Sequence, residues 1–281
     1  MKNLWMLVLA AMMICSAACP GGAKAEEGGE MTLLAVNVRK GDALLLRSGE
    51  SCYLIDTGKQ KNYDALYRVL KENGITRLTG VILTHSHSDH TGGLKQLVKS
   101  DIRIEHVYTS AFFVPEEEDK ENPVIKALKK TDLKPEYLKG GDILPLDGGK
   151  LEVLGPLEKS ETENCNSLVL LATGGGGSIL LTGDMEFPEE RSLLNAGRIP
   201  HADVLKIANH GEGDATSDQL VAAVSPSLAL ISTNTEDEPD TPDPRVMRLL
   251  GTYGIPVAQT QETESGVLVT LRNGEIITEM K

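Results

Sequence analysis

The chain has few aromatic residues and few cysteines, and it lacks the excess of positive charge that broad nucleic-acid surfaces carry. Of its 281 residues 4% are aromatic, and the formal net charge is −13. This acidic balance argues against a broad electrostatic grip on DNA or on an anionic membrane. Four cysteines occur, and only Cys52 and Cys165 follow the first 25 residues. Two cysteines are no disulfide framework, so they either pair or act as small buried hydrophobic residues.

An apolar run at residues 4–18 is too short and too rich in alanine for a comfortable membrane span. The triplet 23–25, Ala-Lys-Ala, then provides a small-residue cleavage site. We therefore interpret residues 1–25 as a signal peptide and predict an exported protein with no stable membrane span in its mature chain. A lipid anchor at Cys19 is the alternative, but the large aliphatic residue usual three positions earlier is absent.

Apolar segments alternate with helix signals along the rest of the chain. Strand patterns cover residues 31–38, 42–47, 52–55, 81–84, 102–109, 167–173, 178–182, 204–208, 228–232, 266–271 and 275–279. Helix patterns begin near Asn62, Asn122-Pro123, Glu189, Ser217 and Asp243-Pro244. Residues 115–122 read as an acidic loop, and the four glycines at 174–177 form a hairpin turn or a phosphate cradle. Because no linker divides the chain, we predict one α/β domain at 31–281, with two sheets face to face and helices outside.

The densest cluster of candidate metal ligands follows the apolar run 81–83. Residues 84–90, Thr-His-Ser-His-Ser-Asp-His, hold three of the six histidines. Imidazole and carboxylate groups bind divalent first-row metals, zinc above all. In extended backbone His85, His87 and Asp89 would share one face and His90 would point elsewhere, so two ions could be held. The alternative is a polar loop in which histidines cluster by chance, which would leave crowded polar groups without partners.

Two other candidates also follow apolar runs. Asp184 comes after residues 179–183, and His210 comes after residues 204–209. Open sheets bind ligands at the carboxyl ends of their strands, so Asp184 could bridge two ions and His210 could close the second site. Taken alone, Asp184 could instead cap a helix, and His210 could lie in a surface loop.

Together these motifs resemble the metallo-β-lactamase superfamily. The matching phrases are His-Ser-His-Ser-Asp-His at 85–90, Leu-Ile-Asp-Thr-Gly at 54–58, Thr-Gly-Asp at 182–184 and His-Gly at 210–211. More narrowly, Lys-Gly-Asp-Ala at 40–43 and Asn-Ser-Leu-Val-Leu at 166–170 are similar to the hydrolase domain of ComEC-type competence proteins and its free-standing secreted relatives. The resemblance spans nearly all of residues 31–281 and implies a four-layer αββα sandwich of two mixed sheets flanked by helices.

The resemblance also implies two divalent metal ions, zinc or manganese, and a role for each candidate. His85 and His87 would bind the first ion, Asp89, His90 and His210 would bind the second, Asp184 would bridge them, and Asp56 and Asp42 would support the ligands from behind.

Three positions depart from the family pattern. No third histidine is placed for the first ion, and Asn164 or Asn166 would stand there as a weak ligand or substrate contact. The usual His-His-Gly is Asn209-His210-Gly211, and a His-Pro pair before the late helix is Thr241-Pro242. Each departure removes a possible base or phosphate contact. The candidate catalytic residues are therefore Asp89, Asn164, Asn166 and Asn209, and we interpret His106 and His201 as structural.

No serine, cysteine or lysine stands beside a base as an obvious nucleophile, and no flavin-binding segment follows. The sequence therefore predicts an exported hydrolase that uses a metal-bound hydroxide on a phosphodiester or phosphoester. The substrate would be a nucleic acid, possibly DNA, or a small-molecule phosphoester such as a choline- or sugar-phosphate. Arg39, Lys40, Lys59 and Lys61 form either a local basic patch near the metals or a solvated face. The alternatives are hydrolysis of a β-lactam or other ester, and a non-catalytic metal-binding scaffold.

Overall fold

The computed structural model describes residues 29–113 and 122–281. The predicted signal peptide at 1–25, the rival lipid site at Cys19 and nearly all of the predicted acidic loop at 115–122 lie outside these ranges. Within the two described ranges, no helix has both the length and the apolar composition needed to cross a bilayer.

Strands and helices alternate along the described residues. The strands up to residue 138 are β1 (Met31–Val36), β2 (Leu44–Ser48), β3 (Ser51–Ile55), β4 (Arg77–Leu78), β5 (Gly80–Leu83), β6 (Arg103–Ile104), β7 (Val107–Ser110) and β8 (Pro135–Leu138). Those that follow are β9 (Ile143–Leu146), β10 (Gly149–Gly155), β11 (Val169–Gly174), β12 (Gly177–Leu181), β13 (Val204–Lys206), β14 (Leu228–Ile231), β15 (Val257–Gln259), β16 (Gly266–Arg272) and β17 (Glu275–Met280). The helices are α1 (Tyr63–Glu72), α2 (Ser88–Thr91), α3 (Leu94–Leu97), α4 (Pro123–Leu128), α5 (Phe187–Asn195), α6 (Asp218–Val224) and α7 (Pro244–Thr252).

Two large mixed sheets form the framework. The first sheet has the order β17-β16-β1-β2-β3-β5-β7-β8, and the second has the order β15-β14-β13-β12-β11-β10-β9. In the first sheet β3, β5, β7 and β8 run parallel, whereas β1 lies antiparallel between β2 and the late strand β16. In the second sheet the parallel strands are β12 to β15. The late strand β16 thus pairs with β1, the first described strand of the chain.

Three apolar clusters establish the layer order. One cluster lies between the sheets, where Leu33 of β1 and Leu170 of β11 belong to the same fully buried group. A second cluster joins the outer face of the first sheet to α1, α3 and α4, and a third joins the outer face of the second sheet to α5, α6 and α7. The alternation of side chains along each strand supplies both faces. The predicted four-layer αββα sandwich is therefore confirmed.

The parallel strands bring the candidate ligands together at the carboxyl ends of the strands in each sheet. In the first sheet β3 ends just before Asp56, and its parallel neighbour β5 ends just before the 84–90 loop. In the second sheet β12 leads into Asp184 and the parallel strand β13 leads towards His210. Because these carboxyl ends lie together where loops diverge, residues distant in sequence can meet there.

Several local predictions need correction. The segment 102–109 is not one strand but β6 and β7, which belong to different sheets. The sequence analysis missed β4, β8, β9, β10 and β15. Two of these contain proline, Pro135 in β8 and Pro145 in β9, and both are edge strands, where the missing N–H disrupts no ladder.

The end signals of the helices were mostly well placed. Asn122, Ser217 and Asp243 accept hydrogen bonds from the first N–H groups of their helices, as expected of N-caps. Asn62 is different, because its side chain donates to the carbonyl of Val38 at 2.6 Å and makes no cap bond. The glycines at 174–177 form a plain hairpin turn between β11 and β12. Both Cys52 and Cys165 are free, buried thiols, so the alternative of a disulfide does not hold.

Candidate metal centre

The loop with three histidines is only partly extended. His87 still has extended dihedrals, but residues 88–91 turn into the short helix α2. The predicted single face of His85, His87 and Asp89 is therefore wrong. The helical turn instead brings His90 inward, where it is fully buried and its ring centroid lies 4.2 Å from that of His85. His87 is half-buried, with its ring 4.7 Å from the ring of His85.

Asp56 holds the histidine loop from behind. Its carboxylate accepts the Nδ1–H of His90 at 2.8 Å, together with the N–H and the Oγ1–H of Thr84, each at 2.8 Å. The same Thr84 hydroxyl lies 3.1 Å from Nδ1 of His85 and accepts its proton. One carboxylate thus orients two imidazoles, so that the Nε2 atom of each ring is directed away from Asp56.

His210 reaches the same point from the second sheet. Its backbone φ is 54° and that of Asn209 is 47°, a left-handed conformation that non-glycine residues rarely adopt. Nδ1 of His210 donates to the carbonyl oxygen of Ser232 at 2.9 Å. Its Nε2 then faces Asp184 and Asp89, with nitrogen–oxygen distances of 3.4 and 3.6 Å.

Asp184 is the common neighbour of three imidazole nitrogens. Its Oδ2 lies 3.0 Å from Nε2 of His90, 3.4 Å from Nε2 of His210 and 3.6 Å from Nε2 of His85. Three sets of side chains offer ligand atoms within 4.8 Å of one another, namely His85, His90 and Asp184; then Asp89, His90 and His210; and, behind these, Asp42, Asp56 and His90. The second set matches the predicted ligands of the second ion. In the first set His90 stands where His87 was expected.

The residues of this centre fit divalent metal ions. Nε2 of His85, Nε2 of His210 and Oδ1 of Asp184 are buried and have no hydrogen-bond partner. Buried polar atoms without partners are rare, because desolvation without a compensating bond is costly. Each imidazole also uses Nδ1 for a structural bond and keeps Nε2 for the centre, which is the usual arrangement around metal ligands. This donor set of imidazoles and carboxylates suits zinc or manganese.

Charge pairing among these groups shifts their pKa values. Burial opposes protonation of His210, but the Asp184 and Asp89 carboxylates outweigh it and raise the pKa of His210 to about 9. Burial likewise disfavours charge on His90, yet Asp184 and Asp56 hold its pKa well above the usual value. Burial, with the neighbouring charge of His90, lowers the pKa of His85. The carboxylates thus make the centre favourable for positive charge.

The three candidate asparagines have different surroundings. The Asn164 amide donates to Glu186 at 2.7 Å, and its Oδ1 is buried without a partner. The carboxamide of Asn166 bonds in both directions with the backbone of residues 160 and 162, so it fastens that loop. The Asn209 amide donates to Asp214 at 3.2 Å. Their assignment as catalytic groups stays a prediction.

A buried lysine behind the centre escaped the sequence analysis. Lys206 is 0% exposed, and its Nζ lies 2.7 Å from Oδ2 of Asp42, which is 1% exposed. Oδ1 of Asp42 lies 3.8 Å from Nδ1 of His210. The signal was present, since Lys206 interrupts an otherwise apolar run at 204–208.

Two of the four basic residues that could form either a local basic patch or a solvated face are paired with acidic side chains. Arg39 forms two bonds to Asp237, at 3.0 and 3.1 Å. Lys40 contacts Glu212 at 3.0 Å and Glu238 at 2.6 Å. These ion pairs link the loop after β1 to the loops after β13 and β14 and offset the charges of Arg39 and Lys40, while the exposed Lys61 lies 3.9 Å from Asp237. His106 and His201 lie outside the candidate metal groups, in contact with Glu136 and with the Val224 carbonyl oxygen respectively.

Comparison with known sequences agrees with this geometry. The family model described as the metallo-beta-lactamase superfamily matches residues 36–232. ComE operon protein 3 of Bacillus subtilis is 29% identical over 231 residues, which cover 80% of this chain and 29% of that protein. Competence protein ComA of Neisseria gonorrhoeae is 27% identical over 229 residues, or 79% and 30% of the two chains. The chain thus spans less than a third of the length of these relatives.

Solved structures share the fold. The metallo-beta-lactamase fold protein YhfI of Bacillus subtilis superimposes with a TM-score of 0.58 at 15% identity, covering 86% of this chain and 99% of that one. A diphosphatase from the PhnP family gives a TM-score of 0.51 at 14% identity, with coverage of 85% and 97%. At these identities the comparison establishes the architecture alone.

Proposed function

The chain belongs to the metallo-β-lactamase superfamily, and from this premise we propose that it is an exported, divalent-metal-dependent hydrolase of a phosphodiester or phosphoester. The observation that carries the proposal is the convergence of three Nε2 atoms, from His85, His90 and His210, on the buried carboxylate of Asp184. Members of this superfamily are generally metal-dependent hydrolases, and the similarity to two competence proteins favours a phosphodiester.

The ligand atoms divide between two ions. His85 and Asp184, with His87 beside them, would hold one ion, and Asp89, His90 and His210 would hold the other. Divalent ions bound in such a site would act as Lewis acids and lower the pKa of bound water from its bulk value to about 7.

Neighbouring groups of the protein orient these ligands and exclude water from the interior side of the site. Asp56 and Thr84 fix the imidazoles of His85 and His90, while the Ser232 carbonyl fixes that of His210. All three imidazoles are buried, so only the side that carries His87 and Asp89 is open to a substrate. Preorganised groups of this kind contribute most where charge develops during hydrolysis.

The charge of the rim favours a small ester over a long polynucleotide. Binding of duplex or single-stranded DNA depends on unpaired lysine and arginine side chains that displace counterions. Here Arg39 and Lys40 are bound to Asp237, Glu212 and Glu238. The rim therefore offers a polyanion little attraction, whereas a single phosphoester needs only the metal centre.

The test combines metal analysis with a substrate panel. The purified protein should contain divalent metal and hydrolyse bis-p-nitrophenyl phosphate, and it should lose this activity on chelation. His87→Ala should lower the rate by at least about 100-fold, a loss typical of metal-centre groups. His106→Ala is the matched control, because that exposed histidine lies outside the centre.

The panel should also contain phosphomonoesters, oligonucleotides and a β-lactam, so that the substrate class is compared directly. Hydrolysis that survives chelation, or a purified protein that binds no metal, contradicts the proposal. Metal binding without turnover of any of these substrates would instead identify the chain as a metal-binding scaffold.

A further inference from the structure

We propose that Lys206 is a positioning residue for one of the two metal ions, the ion held by Asp89, His90 and His210. It would act through Asp42, which it fixes behind the two histidines. This inference rests on the proposed function, because it presupposes that the centre binds metal.

The position of Lys206 follows from the pleat of β13. Side chains alternate along a strand, so Lys206 faces the same side as Val204, which belongs to the cluster between the two sheets. From the carboxyl end of this strand its side chain crosses to the first sheet, where Asp42 lies in the loop between β1 and β2. The ion pair of 2.7 Å therefore joins the two sheets directly beneath the candidate metal centre.

Lys206 is an unusual residue in this protein. Among residues 29–113 and 122–281 it is the one lysine or arginine that is buried. Taking an ammonium group out of water is expensive unless a partner of opposite charge compensates it. Asp42 supplies that partner through an ion pair, and Nζ of Lys206 makes no hydrogen bond in addition to it. A hydrophobic pair of similar volume would often stabilise the fold at least as well as this ion pair. The ion pair is therefore a candidate for a role other than stability.

The carboxylate of Asp42 touches the rear of the site on the side of the second ion. Its Oδ1 lies 3.8 Å from Nδ1 of His210, whose proton is donated to the Ser232 carbonyl. Asp42 also forms a group with Asp56 and His90 in which all ligand atoms lie within 4.8 Å. His85 is absent from that group. The negative charge of Asp42 therefore lies beside Nδ1 of His210 and close to the His90–Asp56 pair, and the ion pair with Lys206 fixes the position of that charge.

The backbone of the Asp42 loop is tied to the same ligands. The N–H of Asp42 donates to the carbonyl of Asp89 at 3.2 Å, and its carbonyl accepts from the N–H of Gly58 at 2.8 Å. A shift of the Asp42 side chain would consequently displace Asp89 as well as the two histidines. All three ligands of the second ion thus depend on the position of Asp42, which the ion pair with Lys206 fixes.

The experiment measures zinc stoichiometry and affinity by competition with a chromophoric chelator. The decisive variant is the double substitution Asp42→Asn with Lys206→Met, because it removes both charges and leaves no uncompensated charge in the interior. Lys206→Met alone is measured as well, with thermal melting to report whether it folds. The matched control is Lys71→Met, which breaks a lysine–aspartate pair of nearly equal length, 2.8 Å, on the surface.

We expect the folded double variant to retain one ion with unchanged affinity and to bind the other about 10- to 100-fold more weakly, as for other residues that orient metal ligands. Lys71→Met should bind both ions as the wild type does. A double variant that folds and binds both ions with wild-type affinity overturns the inference but leaves the proposed function intact. A wild-type protein that binds no zinc or manganese refutes the proposed function, and the role of Lys206 falls with it.

Discussion

Glu189 provides a test of the electrostatics of this fold that is independent of any metal. Its carboxyl group is on α5 and is 5% exposed, and neither carboxyl oxygen has a hydrogen-bond partner. It packs against the backbone at Gly155, where an added Cβ would lie 3.2 Å from Oε1. Burial, together with the nearby Cys165 and Glu186, raises its pKa well above the ordinary value of 4.5. Glu189 therefore stays protonated in the folded protein at pH values where it ionises in the unfolded chain.

The sign of the resulting pH dependence follows from proton counting. Below pH 4.5 the carboxyl is neutral in both states and costs nothing. Above that pH the unfolded chain loses the proton and the folded protein keeps it, so the free energy of unfolding falls as pH rises. For one group the slope is at most about 1.4 kcal/mol per pH unit, and it ends at the pKa of the folded state.

The assay is urea unfolding at several pH values between 5 and 8, in the presence of a chelator so that metal binding does not contribute. Glu189→Gln keeps the shape of the side chain and removes the titration. We expect it to be more stable than the wild type by an amount that grows with pH across this window. Glu158→Gln is the control, because that exposed glutamate lines the same small pocket near Glu189. Parallel stability curves for the wild type and Glu189→Gln would refute the reasoning.

Two further substitutions test the packing around the site. Gly41→Ala should destabilise the fold by about 1–3 kcal/mol in urea unfolding, because the φ of Gly41 is +142° and a Cβ would lie 2.5 Å from the backbone oxygen of Asp89. An unchanged urea midpoint would contradict this close contact. Leu205→Ala should cost about 2–5 kcal/mol, since Leu205 is fully buried between the second sheet and its helices. A loss below 1 kcal/mol would mean that this layer repacks freely.

The architecture was predictable because its main elements carry strong periodic signals. Strands such as β1 and β12 are mostly apolar segments between turns, and α6 and α7 begin at caps that the sequence marks clearly. The elements missed at 135–155 are edge strands or their neighbours, where proline and exposed residues weaken the alternation. Edge strands form because a neighbouring strand offers hydrogen bonds. Which strand becomes that neighbour is determined by the tertiary structure and not by the local sequence.

The ligand types were also readable from the sequence, whereas their orientations were not. The pattern at 85–90 named side chains that the structure brings close to Asp184, but treating it as extended backbone misplaced His90. The helical turn at 88–91 depends on contacts beyond the motif, since the backbone of Thr57 donates to the carbonyl of His90 at 2.7 Å. Lys206 was passed over because its partner, Asp42, is 164 residues away in the chain and meets it only when the two sheets pack.

Backbone strain gives a separate indication that these residues form a functional site. Of the seven non-glycine residues with positive φ in the described ranges, Asp56, Asn209 and His210 belong to this one site. Each such conformation costs of order 1–3 kcal/mol and persists only where surrounding bonds over-determine it. Those bonds are present, from Thr84 to the Asp56 carboxylate and from His210 to the Ser232 carbonyl. The fold therefore sustains strained backbone at the positions that direct Asp56, Asn209 and His210 towards one another, which is the pattern expected of a functional site.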